Sequence, residues 1–186
     1  MAAEKTKSID LSDRVSRVKF MREGGEVKRC HREYQIGRYS VAEHTFGMLC
    51  ILRVLYPDAP TRVIWEIVGH DIPERATGDF PATSKWFGMI NDDTVSEIEI
   101  EILSRLEFPV DPIDTPWKRI VKSIDLLELY MWIKDQQVLG NRTLRKMRTR
   151  IEKWFADNAE FVPPDVFGLF EDVAHSPWEY HNELCD

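Results

Sequence analysis

His70 and Asp71 stand side by side in the run Ile64-Trp-Glu-Ile-Val-Gly-His-Asp-Ile-Pro-Glu74. On a helix Asp71 falls on the stripe of Ile64, Ile67 and Val68, while His70 looks back over Val63 and Ile67. Two polar groups aimed at a core are costly unless a partner satisfies them. A hydrogen-bonded core pair would do so. A metal ion would also do so, since neutral imidazole and carboxylate are among its usual ligands. Two further residues join the pair by the same reasoning. His44 shares a helical face with Val41, Met48 and Ile51, and Asp125 shares one with Val121, Leu129 and Trp132. His44, His70, Asp71 and Asp125 thus form a potential His2Asp2 set on three expected helices. Imidazole and carboxylate without thiolate suit one divalent Mn, Co, Fe, Ni or Zn ion, whereas Mg prefers an all-oxygen site. A six-coordinate ion would keep two positions for water and a substrate oxygen, which suits hydrolysis.

The elements that must position these groups read as follows. A first helix is expected over 8–21, with Leu11, Val15, Val18, Phe20 and Met21 inward and Gly24-Gly25 ending it. An irregular segment, 26–39, comes next, and loops of that length inside a compact domain are often functional. Ser40, with Glu43 three residues on, caps a helix over 41–55 that carries His44. The following helix starts at Pro60-Thr61 and carries His70-Asp71 near its end. Pro73 then disfavours regular helix, and Gly78-Asp79-Phe80-Pro81 makes a turn. A segment with Lys85 and Trp86 leads to a helix at about 92–106 with an acidic outer face of Glu97, Glu99 and Glu101. The helix over 117–133 is expected to be the most buried. An amphipathic helix over 142–155 and a short last helix after Val162-Pro163-Pro164 complete the chain, with a loosely held tail after Ser176. Trp65, Trp132, Trp154 and Phe155 fall at core spacing. With no repeat and no strand pattern, the expected class is all-α, a single domain over 1–186 with its core at about 8–157 and a C-terminal segment over 158–186.

Hydrophobic residues make up 43 % of the 186 and charged residues 31 %, the balance of a soluble globular chain. No apolar stretch is long enough for a membrane span, and the first residues lack the apolar run of a signal peptide. Cys30, Cys50 and Cys185 are scattered and read as reduced thiols of a cytosolic protein. The formal net charge is −7, yet Arg14 to Arg38 holds eight Lys or Arg against three Glu. An acidic chain is a poor general nucleic-acid binder, while a local cationic segment can serve a small anion or simply face solvent. The basic side of 142–155 reads as a solvated face, with an oligomer contact as the alternative. His31, His175 and His181 carry no assigned role.

In order, His44, His70-Asp71 and Asp125 resemble the H…HD…D signature of the HD-domain metal-dependent phosphohydrolases. The likeness is closer to a bacterial and phage branch of 5'-deoxynucleotidase-like proteins. It is carried by Ala42-Glu43-His44-Thr45, His70-Asp71-x-x-Glu74, Thr77-Gly78-Asp79-x-Pro81, Lys85 and Asp125, and it spans about 17–134. The resemblance implies an HD-domain helical bundle with one divalent metal on His44, His70, Asp71 and Asp125, between core helices. It implies that Glu74 acts on the attacking water or the leaving group and that Asp79 lies at the sugar end of the catalytic site. Arg29 would hold the phosphate with Lys85 nearby, and Cys30 and Arg32 would complete the substrate contacts. Cys30 stands where relatives commonly carry a stacking tryptophan, and a thiol offers little stacking surface. Base preference therefore stays open, and so does phosphate number, because phage members of the branch include dATP triphosphohydrolases.

The expected function is removal of phosphate from a deoxynucleotide, dNMP or dNTP, by attack of metal-bound water on phosphorus. The resemblance makes a homo-oligomer (dimer or hexamer) with a small-molecule substrate the expectation, and the cysteines, hydropathy and acidic charge add a cytoplasmic protein with no membrane and no stable nucleic-acid partner. Two alternatives remain at this point. One is an HD hydrolase of another phosphorylated substrate, such as an alarmone or an RNA end. The other is a non-catalytic HD regulatory module, against which stands the complete ligand set.

Overall fold

A computed structural model describes residues 10–79, 92–109 and 112–178. Along them run α1 (Arg14–Gly25), α2 (Val41–Leu55), α3 (Thr61–Gly69), α4 (Glu74–Thr77), α5 (Asp92–Arg105), α6 (Thr115–Val138), α7 (Arg145–Asp157) and α8 (Pro164–His175). No strand occurs among the described residues, and the fold is all-α. The long helix α6 is the axis. Asp114 caps it by accepting from the Trp117 N–H, and Pro116 occupies the first turn, where a missing N–H removes no helical bond. Helices α2, α3, α7 and α8 pack around α6. Met48, Ile67, Leu127, Ile133 and Phe155 fill these seams with no exposure at all. Each such side chain contributes about 1.5–3 kcal/mol by leaving water. A smaller cluster of Leu11, Phe20, Ile72, Ile102, Leu106 and Phe108 ties α1 and the end of α5 to the turn after α3.

Three polar residues of α6 are buried in this bundle: Ser123, Glu128 and Gln136. Buried polar groups need partners. Ser123 donates to the Arg119 carbonyl at 2.8 Å. Gln136 holds the 26–39 segment: its Oε1 accepts from the Ile36 N–H and its Nε2 donates to the Ile36 carbonyl, both at 2.8 Å. Asn141 adds a bond to the Tyr34 carbonyl at 2.9 Å. The neck of the segment is closed by Arg29 N–H to Tyr39 O and Val41 N–H to Val27 O, each 2.9 Å. The expected irregular segment is therefore a pinned loop.

Helix α1 departs from expectation at both ends and on its face. Asp13 caps it, accepting from the Val15 and Ser16 N–H groups, so it starts at Arg14. It continues through Gly24 and Gly25 because they serve packing: a Cβ on Gly24 would lie 2.9 Å from the Ile72 carbonyl oxygen. Val15 and Val18, expected inside, are 74 % and 58 % exposed, and Phe20 does the inward packing. Trp65 is also a partial correction, at 41 % exposure and edge-on to Phe108. Helix α7 begins at Arg145, after a turn in which Asn141 Oδ1 accepts from the Thr143 N–H and hydroxyl. The tail is held as far as Trp178, whose indole N–H donates to Asp135 at 2.8 Å. Lys85, Trp86, Pro81, His181 and Cys185 lie outside the described residues.

Candidate metal centre

Helix α2 begins with a complete capping box: Ser40 Oγ accepts from the Glu43 N–H, and the Glu43 carboxylate accepts from the Ser40 N–H. This start fixes the helix phase, and four residues later His44 points into the bundle with no exposure. Helix α3 ends at Gly69, where a Cβ would lie 2.5 Å from the Phe108 ring, so the ring seats the turn that follows. His70 is the C-cap residue of α3. Its Nδ1–H donates to the Ile67 carbonyl at 2.7 Å, which leaves the Nε2 lone pair facing inward. Asp71 comes next, in the turn before α4, and Asp125 comes from the middle of α6.

These side chains converge. One ligand atom each from His44, His70 and Asp125 lie within 4.8 Å of one another. His44 Nε2 is 3.3 Å from Asp125 Oδ1 and 3.9 Å from Asp71 Oδ2, and His70 Nε2 is 3.1 Å from Asp71 Oδ2. Both Nε2 atoms are buried without a hydrogen-bond partner. Two partnerless imidazole nitrogens facing two carboxylates fit a divalent ion of the imidazole-and-carboxylate class. Three of the four expected ligands, His44, His70 and Asp125, are therefore brought together, and Asp71 lies against both histidines with Arg29 on its carboxylate.

Burial lowers the pKa of His70 to about 4, so its ring is neutral and able to donate its lone pair at neutral pH. For His44 burial also opposes the charge, but the carboxylates of Asp125 and Glu128 outweigh it and raise the pKa. Burial works to raise Asp125, yet His44, the Lys122 ammonium at 2.8 Å and Arg29 hold it well below the usual carboxylate range. Arg29 reaches into the same cluster. Its guanidinium contacts the Asp71 carboxylate directly, lies 3.8 Å from Asp125 and sits 5.9 Å from the centre of the Tyr39 ring.

The other expected site residues spread around this centre. Glu74 opens α4, and its Oε2 is buried with no hydrogen-bond partner. Burial raises its pKa to about 7; Arg29 pulls the other way, and Asp79 and Glu99 add to the rise. Glu99, expected on an outer face, is thus near enough to the site to act on Glu74. Asp79 Oδ2 accepts from the Cys30 N–H at 2.8 Å and lies 3.6 Å from His31 Nδ1, so it braces the chain next to Arg29. Cys30 adopts φ of 50°, and burial pushes its thiol up to about 12. Gln35 stiffens the same turn by donating to the carbonyls of Arg29 and Cys30 at 2.7 and 2.8 Å. Arg32 is exposed, and Lys85 lies outside the described residues.

Glu128 was not evident from the sequence. It contacts His44 Nδ1 directly, and the Tyr39 hydroxyl donates to the same Oε2 at 2.5 Å. Spacing alone does not reveal it: Glu128 lies three residues after Asp125 and Gly47 three after His44, a pattern that solvent-facing residues share. A Cβ on Gly47 would come 2.7 Å from Glu128 Cγ and Oε1, so α2 approaches α6 closely at this point. A family model described as an HD domain matches residues 25–131, more than half of the 186-residue chain, a range that includes all four expected ligand positions. Comparison with curated proteins gives no match. The residues that converge in space lie inside the matched range, and the chain belongs to the HD-domain family.

Proposed function

We propose that the protein is a metal-dependent phosphohydrolase of deoxynucleotides, acting on dNMP or on the phosphate chain of dNTP. HD domains are typically metal-dependent hydrolases, and that coarser activity follows from the family. The observation that carries the reading is the meeting of His44 Nε2, His70 Nε2 and Asp125, with Arg29 reaching the same carboxylates. The deoxynucleotide part is supported by the likeness of Ala42-Glu43-His44-Thr45, His70-Asp71-x-x-Glu74 and Thr77-Gly78-Asp79 to the 5'-deoxynucleotidase-like branch.

His44, His70, Asp71 and Asp125 would hold the metal, which when bound supplies Lewis acidity to the phosphoryl group and to a water. The remaining work falls to the chain. Arg29 presents a planar fork that can grip two phosphate oxygens, and its buried positive charge offsets the negative charge brought by the substrate. Glu74, poised near neutrality, takes a proton from the attacking water at one carboxylate oxygen and returns it to the departing oxygen. Asp79 and Gln35 hold the 29–30 turn, so the guanidinium is aimed before substrate arrives.

The test is a panel of deoxynucleotides, ribonucleotides, a guanosine alarmone and 5'-phosphorylated RNA, assayed with Mn or Co. The products read are phosphate, pyrophosphate and triphosphate. Turnover of one or more deoxynucleotides above the other classes is expected. Turnover confined to the alarmone or RNA would contradict the proposed substrate class while leaving the hydrolase intact.

A further inference from the structure

The contact between Glu128 and His44 has a chemical consequence. A histidine can offer Nε2 to a metal only if its proton sits on Nδ1, and a carboxylate at Nδ1 fixes both that tautomer and the ring orientation. His44 has no exposure, and the side chains that reach its Nδ1 are Glu128 and Tyr39. Glu128 Oε2 lies against Nδ1, on the side of the ring opposite the Nε2 that faces Asp125 at 3.3 Å. The Tyr39 hydroxyl donates to that same Oε2 at 2.5 Å and lies 3.1 Å from Nδ1. Tyr39 is itself fixed, stacked on Trp132 with ring centres 4.3 Å apart and planes 12° from parallel. Gly47 leaves the room that Glu128 occupies.

We infer that Glu128 is a positioning residue of the metal centre, holding His44 with its proton on Nδ1 and Nε2 toward the ion, and that Tyr39 holds Glu128 in that pose. The inference rests on the metal reading above. Tyr39 also belongs to the phosphate loop, because its carbonyl accepts from the Arg29 N–H at 2.9 Å. One carboxylate oxygen thereby sets a metal ligand and the residue that closes the neck of the loop carrying Arg29. A Glu that only bridged α2 to α6 would affect folding but would not select the tautomer of His44.

The experiment uses the full chain stripped of metal and titrated with Co(II), followed by visible absorption, with melting of the metal-free protein as the control. Glu128→Gln keeps the size but loses the charge that accepts from both donors. It should weaken Co(II) binding by about 10–100-fold, with metal-free melting little changed. In parallel, wild-type protein with 15N-labelled histidine, loaded with Zn(II), should show His44 protonated at Nδ1, with a downfield, slowly exchanging proton. Equal Co(II) affinity in the two proteins, or a His44 Nδ1 without a proton, overturns the inference. The second measurement needs no variant: if Glu128→Gln fails to fold, a His44 Nδ1 proton that lacks the downfield shift and slow exchange of a bond to a carboxylate overturns the inference. Failure of the wild type to bind Co(II) at all would instead remove the metal reading itself, and this inference with it.

Discussion

Glu74 shows how a residue's setting converts a common side chain into a proton-transfer group. Its carboxyl is buried beside one cation and two further carboxylates, and its pKa rises to about 7. Replacing it with glutamine should leave metal content unchanged and lower turnover about a hundredfold or more. Loss of metal with unchanged turnover per metal would make it a ligand instead. The same group predicts a stability trend in metal-stripped protein. Its folded pKa lies above its ordinary 4.5, so the folded state binds the proton more tightly. The stabilisation is complete below about 4.5 and is lost as the pH rises through about 7. Melting curves across that window should fall less steeply for Glu74→Gln than for wild type. Equal slopes would contradict the assignment. At this scale the candidate ligands His44 and Asp125 were legible because a polar residue stood where its helical neighbours were apolar, whereas Asp71 lies in the turn after α3, off the helix on which the sequence placed it, and Ile64 of its expected stripe is exposed. Glu128 was not legible by that rule. A glutamate three residues past Asp125 on a long helix looks the same in sequence whether it faces solvent or an imidazole, and only the α2–α6 approach separates the two.

That approach is a property of elements, and Gly47 is where it is tested. Gly47→Ala puts a methyl group 2.7 Å from the Glu128 side chain, which must move away from His44 or push the helices apart. The expected outcome is a loss of about 1–3 kcal/mol in chemical denaturation, together with weaker metal binding. Wild-type stability and affinity in this variant would mean that the helices have slack at the seam. Other elements were readable from chemistry within a few residues: the Ser40–Glu43 capping box, the break at Pro73, the Asp114 and Pro116 start of α6. Helix α1 was not. Its valines alternate with Arg and Lys in a way that favours no one face, and its docking is decided by Gly24 meeting the Ile72 backbone, a contact 48 positions distant along the chain.

At the scale of the molecule, the cationic surplus of Arg14 to Arg38 divides between surface and site. Arg38 is exposed and pairs with Glu26 at 2.7 Å, and Arg17 pairs with Glu107, whereas Arg29 turns inward to Asp71 and Asp125. Composition could show the surplus but not this division. No helix among the described residues is long and apolar enough to cross a membrane. The loop that carries Arg29 also carries Cys30, with a half-buried thiol and no aromatic surface. Cys30→Trp should therefore change the order of turnover among dAMP, dGMP, dCMP and dTMP or their triphosphates. An unchanged order would place the base away from this turn. The centre itself is tested most directly by stripping the protein with chelator and adding Mn(II) or Co(II) in fractions of an equivalent, while measuring phosphate release from the deoxynucleotide panel. A single ion held by His44, His70, Asp71 and Asp125 predicts no release at zero metal and a linear rise that breaks at one ion per chain. It also predicts that His70→Ala stays silent throughout. Release without metal, or full activity in His70→Ala, would contradict the account.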